Sequence, residues 1–162
     1  MDSPFNDKDI RFNISHSGQQ AALTFATGCD VGVDIEAHRD LPDRHSLARY
    51  CLSETQYDDF ASLPASEQTD AFYRFWTRKE ALIKAIGKGV FEPLKGFDVA
   101  FRHDESPALL RGSDSFGDIS WWRVMEIPIQ DRYLAAVAVP DLQCRLVLHY
   151  ECEWSASGNA PD

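Results

Sequence analysis

Four charged residues in this 162-residue chain have the types and the spacing to do chemistry: Asp34 and Glu36 in Val33-Asp34-Ile35-Glu36, and Glu80 and Lys84 in Trp76-Thr77-Arg78-Lys79-Glu80-Ala81-Leu82-Ile83-Lys84. Side chains alternate between the faces of a strand, so Asp34 and Glu36 share one face and Val33 and Ile35 the other. Residues four apart are neighbours on a helix, so Trp76, Glu80 and Lys84 follow one another along one side. Two acids on a strand and a third on a helix are a common way to hold Mg²⁺, which takes oxygen ligands and keeps positions for water and phosphate. Acids that converge without a cation repel one another, so a metal is the simplest account if the fold brings Asp34, Glu36 and Glu80 together. The competing accounts are a Glu80–Lys84 surface ion pair, worth roughly a few tenths of a kcal/mol, and a D-x-E on a solvated strand face. Spacing within each segment leaves both open.

The elements that must carry these residues follow from pattern. Arg11 to Ser15 and Ala21 to Thr27 are β-compatible and flank a turn at Ser17-Gly18-Gln19-Gln20; Val31 to Glu36 reads as a strand after the turn Gly28-Cys29-Asp30. Residues 37–44 form a loop and 45–51 a helix. Ser53-Glu54-Thr55-Gln56 has the form of a capping box that starts a second helix, which Pro64 stops. Ser66 is the expected N-cap of a long helix that ends at Ile86 and closes at Gly87. Its stripe of Phe72, Phe75, Trp76, Leu82, Ile83 and Ile86 belongs to a core. Beyond Pro93 strands are expected at 96–102, 108–111, 120–127, 133–139 and 145–154. The fold class is therefore α+β, with an antiparallel meander packed on the long helix. Residues 1–10 read as an extended entry, and 155–162 as a frayed, disordered tail.

Bulk properties narrow the function. The formal charge is −10, with 16 Lys and Arg against 26 Asp and Glu, which argues against a nucleic-acid surface. A small anion in a local basic pocket stays compatible with that charge. No apolar run approaches the ~20 residues that cross a bilayer, and the first residues have no signal-peptide pattern, so a cytoplasmic protein without a membrane partner is expected. Cys29, Cys51, Cys144 and Cys152 lack C-x-x-C spacing, which points to buried or incidental thiols.

Asn13-Ile14-Ser15-His16-Ser17, Gly32-Val33-Asp34-Ile35-Glu36, and Phe75-Trp76-Thr77-Arg78-Lys79-Glu80-Ala81 with Lys84 and Gly87-Lys88-Gly89 occur in that order. Together they resemble the 4'-phosphopantetheinyl transferases, in the larger, pseudo-dimeric class of the surfactin-synthetase-activating type. The resemblance implies the fold of that family and transfer of 4'-phosphopantetheine from coenzyme A, the co-substrate, to a serine of an acyl-, peptidyl- or aryl-carrier protein, with release of adenosine 3',5'-bisphosphate. By position it assigns Mg²⁺ to Asp34, Glu36 and Glu80, and coenzyme contacts to Ser15, His16, Lys79 and Lys84. It also makes Glu80 and Lys84 the catalytic pair: Glu80 deprotonates the acceptor serine, directly or through a water, and Lys84 contacts phosphate and assists the leaving group or proton transfer. Phosphoryl transfer needs charge neutralisation and in-line placement, which such a set supplies.

Two departures stand out. Gln56 occupies the place where many relatives carry a glutamate in F-S-x-x-E, and an amide takes no proton at neutral pH. Gln56 is therefore read as structural, with Glu54 a weaker alternative acid. Only twelve residues precede Asn13, where the resemblance implies a whole further half-domain. Residues 1–29 are then expected to be a remnant hairpin of an N-terminal half, 30–154 the C-terminal half that carries the metal and catalytic residues, and 155–162 the tail. An apolar surface left by the missing half is expected unless another chain covers it. A shortened chain, self-association that imitates the missing half, and an inactive paralogue are the three accounts. The alternative functions are a non-catalytic module binding coenzyme A or carrier protein, and, with little support, a two-carboxylate hydrolase.

Overall fold

In the computed structural model, residues 9–87, 93–106, 108–129 and 132–140, with Val147 and His149, are described. They form strands β1 (Ile10–Ser17), β2 (Gln20–Thr27) and β3 (Gly32–Ala37), helices α1 (Arg44–Cys51), α2 (Glu54–Ala61) and α3 (Ala65–Ile86), then strands β4 (Asp98–Val99), β5 (Leu109–Arg111), β6 (Arg123–Glu126) and β7 (Tyr133–Val139). β1 and β2 are an antiparallel hairpin with Phe12 opposite Phe25 and Ile14 opposite Leu23. Its turn places Gly18 at φ 58°, a left-handed conformation that glycine adopts without Cβ strain. β3, β7 and β6 make an antiparallel sheet in the order β3-β7-β6, and β4 and β5 pair separately.

α3 packs across β3 and β7. Phe75 and Leu82 are fully buried, and Phe72 and Ile83 nearly so, while Trp76 and Ile86 sit at the margin of the core. Phe60 of α2 meets Phe75 edge to face with ring centres 5.9 Å apart, which ties the short helices to the long one. At Gly32 the strand comes so close to α3 that an added Cβ would lie 2.0 Å from the Ala81 carbonyl oxygen and 2.5 Å from the Ala85 nitrogen. Glycine on β3 and alanines on α3 thus set the spacing between the two elements that carry the candidate chemistry.

The sequence-based boundaries hold closely for β2, β7, α1, α2 and the C-terminus of α3, where Gly87 closes the helix at φ 68°. At its N-terminus the cap is Pro64, not Ser66: the Pro64 carbonyl accepts the Glu67 N–H at 2.8 Å, and Ser66 lies inside the first turn. Proline presets a helix-compatible φ, so the residue that ends one helix also starts the next. The capping box is half formed. Ser53 accepts the Gln56 N–H at 3.3 Å, but the Gln56 amide turns inward and donates to the Val99 carbonyl at 2.6 Å. The single meander is also corrected. Strand 96–102 shortens to β4 in a two-stranded pair of its own, a 3-10 turn replaces the start of 120–127, and β3 pairs with the distant β7 instead of a sequence neighbour. Alternation marks residues as extended without naming the partner strand. The expected strand 145–154 lies almost wholly outside the described residues, and the tail wholly so. No described helix is long and apolar enough to cross a membrane.

Candidate functional site

The close approach at Gly32 puts Lys84, in the last turn of α3, against the middle of β3. Its ammonium donates to Asp34 Oδ1 at 2.7 Å and to the Val33 carbonyl at 3.0 Å. Lys84 therefore reaches across to the strand, which tells against the competing account of a surface ion pair with Glu80. Asp34 is 7% exposed in this pair and Lys84 27%, so the contact is largely shielded from water.

β1 runs alongside β3 in the same direction, and side chains replace the usual ladder between them. The N–H of Val33 donates to Asn13 Oδ1 at 3.2 Å, that of Ile35 to Ser15 Oγ at 3.4 Å, and that of Ala37 to Ser17 Oγ at 3.0 Å. The same two hydroxyls donate to the acids: Ser15 Oγ to Asp34 Oδ1 at 2.9 Å, and Ser17 Oγ to Glu36 Oε2 at 2.8 Å. From α3, Trp76 Nε1 donates to Glu36 Oε1 at 3.3 Å, with its indole stacked on Phe72.

Burial is the largest influence on both Asp34 and Glu80, and it raises each carboxyl above its ordinary range. For Asp34, Lys84 and Ser15 pull the other way and Glu36 adds to the rise. For Glu80, the charge of Asp34 adds to the rise, Lys84 opposes it, and Glu36 contributes further. The three acids thus lie within one another's field, a repulsion that a bound cation would relieve. Asp34 Oδ2 is buried and has no hydrogen-bond partner among the described residues, so one carboxylate oxygen is left for a hard cation to satisfy. Among the described residues no group of three or more His, Cys, Asp or Glu is gathered closely enough to hold a metal ion. Mg²⁺ commonly needs only one or two protein carboxylates when a phosphate supplies the rest, so the acids remain compatible with it.

Asp34, Glu36, Glu80, Lys84 and Ser15 are thus brought to one region, and two predicted residues are not. Lys79 is fully buried. Its ammonium donates to the Leu94 carbonyl at 2.7 Å and to the Phe97 carbonyl, and lies over the Phe97 ring. One residue before Glu80, a side chain points about 100° away around the helix, which corrects the expectation that Lys79 lines the same site. His16 is exposed on the outer face of β1, opposite Ser15 and Ser17. Asn13, Ser17 and Trp76 join the site without being among the residues expected there, although N-x-S-x-S carries the signal. Its rungs stand at a constant offset of twenty residues from Val33, Ile35 and Ala37, a relation visible only once β1 lies along β3.

A surface cavity of about 280 Å³ opens between β1 and the end of α3, lined by Arg11, Asn13, Asp30, Lys84 and Gly87 among others. Two larger openings, beside Arg39, Arg44 and Arg132 and beside Arg74 and Arg102, hold none of the predicted residues. The outer face of the hairpin is apolar: Ile10, Phe12, Ile14, Leu23 and Phe25 are each more than half exposed.

A family model described as the 4'-phosphopantetheinyl transferase superfamily matches residues 30–138. The chain is 40% identical over 96 residues to the 4'-phosphopantetheinyl transferase Sfp of Bacillus subtilis, covering 59% of this chain and 42% of that protein. It is 33% identical over 135 residues to the 4'-phosphopantetheinyl transferase HetI of a Nostoc species, covering 83% and 54%. The chain thus spans about half the length of these curated relatives. Among solved structures, the fold is similar to the holo-[acyl-carrier-protein] synthase of Thermotoga maritima, with TM-score 0.53, 22% identity, and coverage of 68% of this chain and 61% of that one. The corresponding enzyme of Neisseria meningitidis gives TM-score 0.51 at 18% identity, with coverage of 68% and 95%.

Proposed function

The chain belongs to the 4'-phosphopantetheinyl transferase superfamily, and from that premise we propose that it moves 4'-phosphopantetheine from coenzyme A to a serine of an acyl-, peptidyl- or aryl-carrier protein. The observation that carries the reading is the convergence of Asp34 and Lys84 at 2.7 Å, with a second, partly buried acid, Glu80, one turn before that lysine. In the transfer, the serine oxygen forms a bond to the phosphorus next to pantetheine. The bond from that phosphorus to the bridging oxygen breaks, and adenosine 3',5'-bisphosphate leaves with the electron pair. Lys84 is a fixed cation for the phosphate oxygens. Glu80, whose burial favours proton uptake, accepts the serine proton. Asp34 and Glu36 are the strand residues that would hold Mg²⁺ together with Glu80, and the metal when bound would neutralise charge on the pyrophosphate. His16 would meet the coenzyme only where it extends over the outer face of the hairpin.

We read the protein as cytoplasmic, where coenzyme A is available. Residues 1–29 are read as belonging to an N-terminal half-domain and 30–154 as the half that carries the catalytic residues. The outer face of β1 and β2 is where a second copy of this chain docks: the face is apolar, and β2 carries no charged residue from Gln20 to Thr27, so two copies meet there without opposing charges.

The test is mass spectrometry of an apo carrier protein incubated with the chain, coenzyme A and Mg²⁺. Gain of the phosphopantetheine mass, lost in Glu80→Gln with an unchanged melting curve, supports the proposal. No gain at high enzyme concentration overturns it. Retained coenzyme binding without transfer would instead favour a binding module.

A further inference from the structure

We propose that Asn13, Ser15 and Ser17 form a side-chain ladder that sets the carboxylates of β3, and that Ser17 is the positioning residue that holds Glu36 for a divalent cation. The inference rests on the reading of Asp34, Glu36 and Glu80 as a cation-binding set. It adds a role for Ser17, which no other observation about the site assigns.

The direction of each hydrogen bond is forced. A hydroxyl has one proton and two lone pairs. Ser17 Oγ accepts the Ala37 N–H at 3.0 Å, so its own proton is free to go to Glu36 Oε2, 2.8 Å away. Trp76 of α3 holds the other oxygen of the same carboxylate. Glu36 is thereby fixed from two elements by neutral donors, which orient it without cancelling its charge and leave lone pairs for a cation. Ser15 repeats the arrangement one rung earlier, on Ile35 and Asp34.

The choice of residue at each rung follows the acids. Capping the edge of β3 needs only an acceptor, and the Asn13 rung, whose neighbour on β3 is Gly32 and not an acid, carries an amide oxygen. At the two rungs beside Asp34 and Glu36 the residue is serine, which accepts and donates together. Ser15 and Ser17 are both buried, 8% and 7% exposed, so solvent is poorly placed to replace the missing donor in a variant. Partners that orient a metal ligand in this way are typically worth about 10–100-fold in metal affinity.

The probe is Mn²⁺, titrated against the full chain and followed by the electron paramagnetic resonance signal of the free ion, alongside circular dichroism and thermal melting. The wild type is expected to bind. Ser17→Ala is expected to bind about tenfold more weakly with its spectrum unchanged, and Ser17→Thr, which restores the hydroxyl, to return within about twofold of wild type. Equal affinity of Ser17→Ala and wild type overturns the inference, as does a folded Ser17→Thr as weak as Ser17→Ala. If Ser17→Ala does not fold, Ser17→Cys, a weak donor of similar shape, carries the same expectation of weakening. Absence of Mn²⁺ binding by the wild type removes the cation-site reading, and this inference with it.

Discussion

Replacing Gly32 with alanine tests whether the contact between β3 and α3 is what assembles the site. The new Cβ would stand 2.0 Å from the Ala81 carbonyl oxygen, 2.5 Å from the Ala85 nitrogen and 3.0 Å from the Lys84 Cβ. The first two are helix backbone, which has no rotamer by which to yield. Ordinary contact begins near 3.4 Å, so relieving the first clash by movement along that line takes about 1.4 Å. The same shift would stretch the Asp34–Lys84 contact from 2.7 Å to about 4 Å, beyond hydrogen-bond length. Overpacking of this kind costs about 1–3 kcal/mol, and the placement against backbone puts the expectation at the upper end. In urea, with a slope of roughly 2 kcal/mol per molar, the midpoint falls by about 1 M or more while the slope is unchanged. Carrier-protein loading should be lost even well below the unfolding transition, because the helix and the strand no longer meet. A Gly32→Ala protein with a midpoint within about 0.2 M of wild type and normal loading would refute the reasoning.

Burial is the largest influence on Lys79 and lowers its ammonium from 10.5 to about 8, against the opposing charge of Asp98. From about pH 8 to pH 10.5 the unfolded chain holds a proton that the folded chain has released, so this residue's contribution to stability rises with pH across that window. The neutral amine still has two N–H groups for the Leu94 and Phe97 carbonyls. The difference in urea midpoint between wild type and Lys79→Met should therefore move in favour of the wild type between about pH 7.5 and pH 9.5; a constant or reversed difference counts against the buried amine. On the hairpin, Phe12→Ser with Phe25→Ser should convert a dimer to the monomer mass in light scattering, with little loss of stability, since the two rings are 70% and 68% exposed. A wild type that is already a strict monomer at micromolar concentration excludes self-association.

The sequence by itself determined the faces. Period-two alternation put Asp34 with Glu36, helical spacing put Glu80 and Lys84 one turn apart, and Gly87 ended the helix, because each of these depends on neighbours along the chain. The order of the three motif blocks carried the family, and the matched region 30–138 contains the second and third of them. Tertiary structure decided what each face meets. Helical spacing alone allowed Lys84 to pair with Glu80; the missing Cβ at Gly32 lets it pair with Asp34 instead. Lys79 and Lys84 are both plausible phosphate contacts as letters, yet the 4-3 rows of one helix turn one into the core and the other toward β3. Ser15 and Ser17 belonged to a recognisable block, but their work on Asp34 and Glu36 depends on β1 lying along an edge of β3 that no described strand pairs with. Periodicity fixes a side chain's direction on its own element, and only packing supplies what lies opposite.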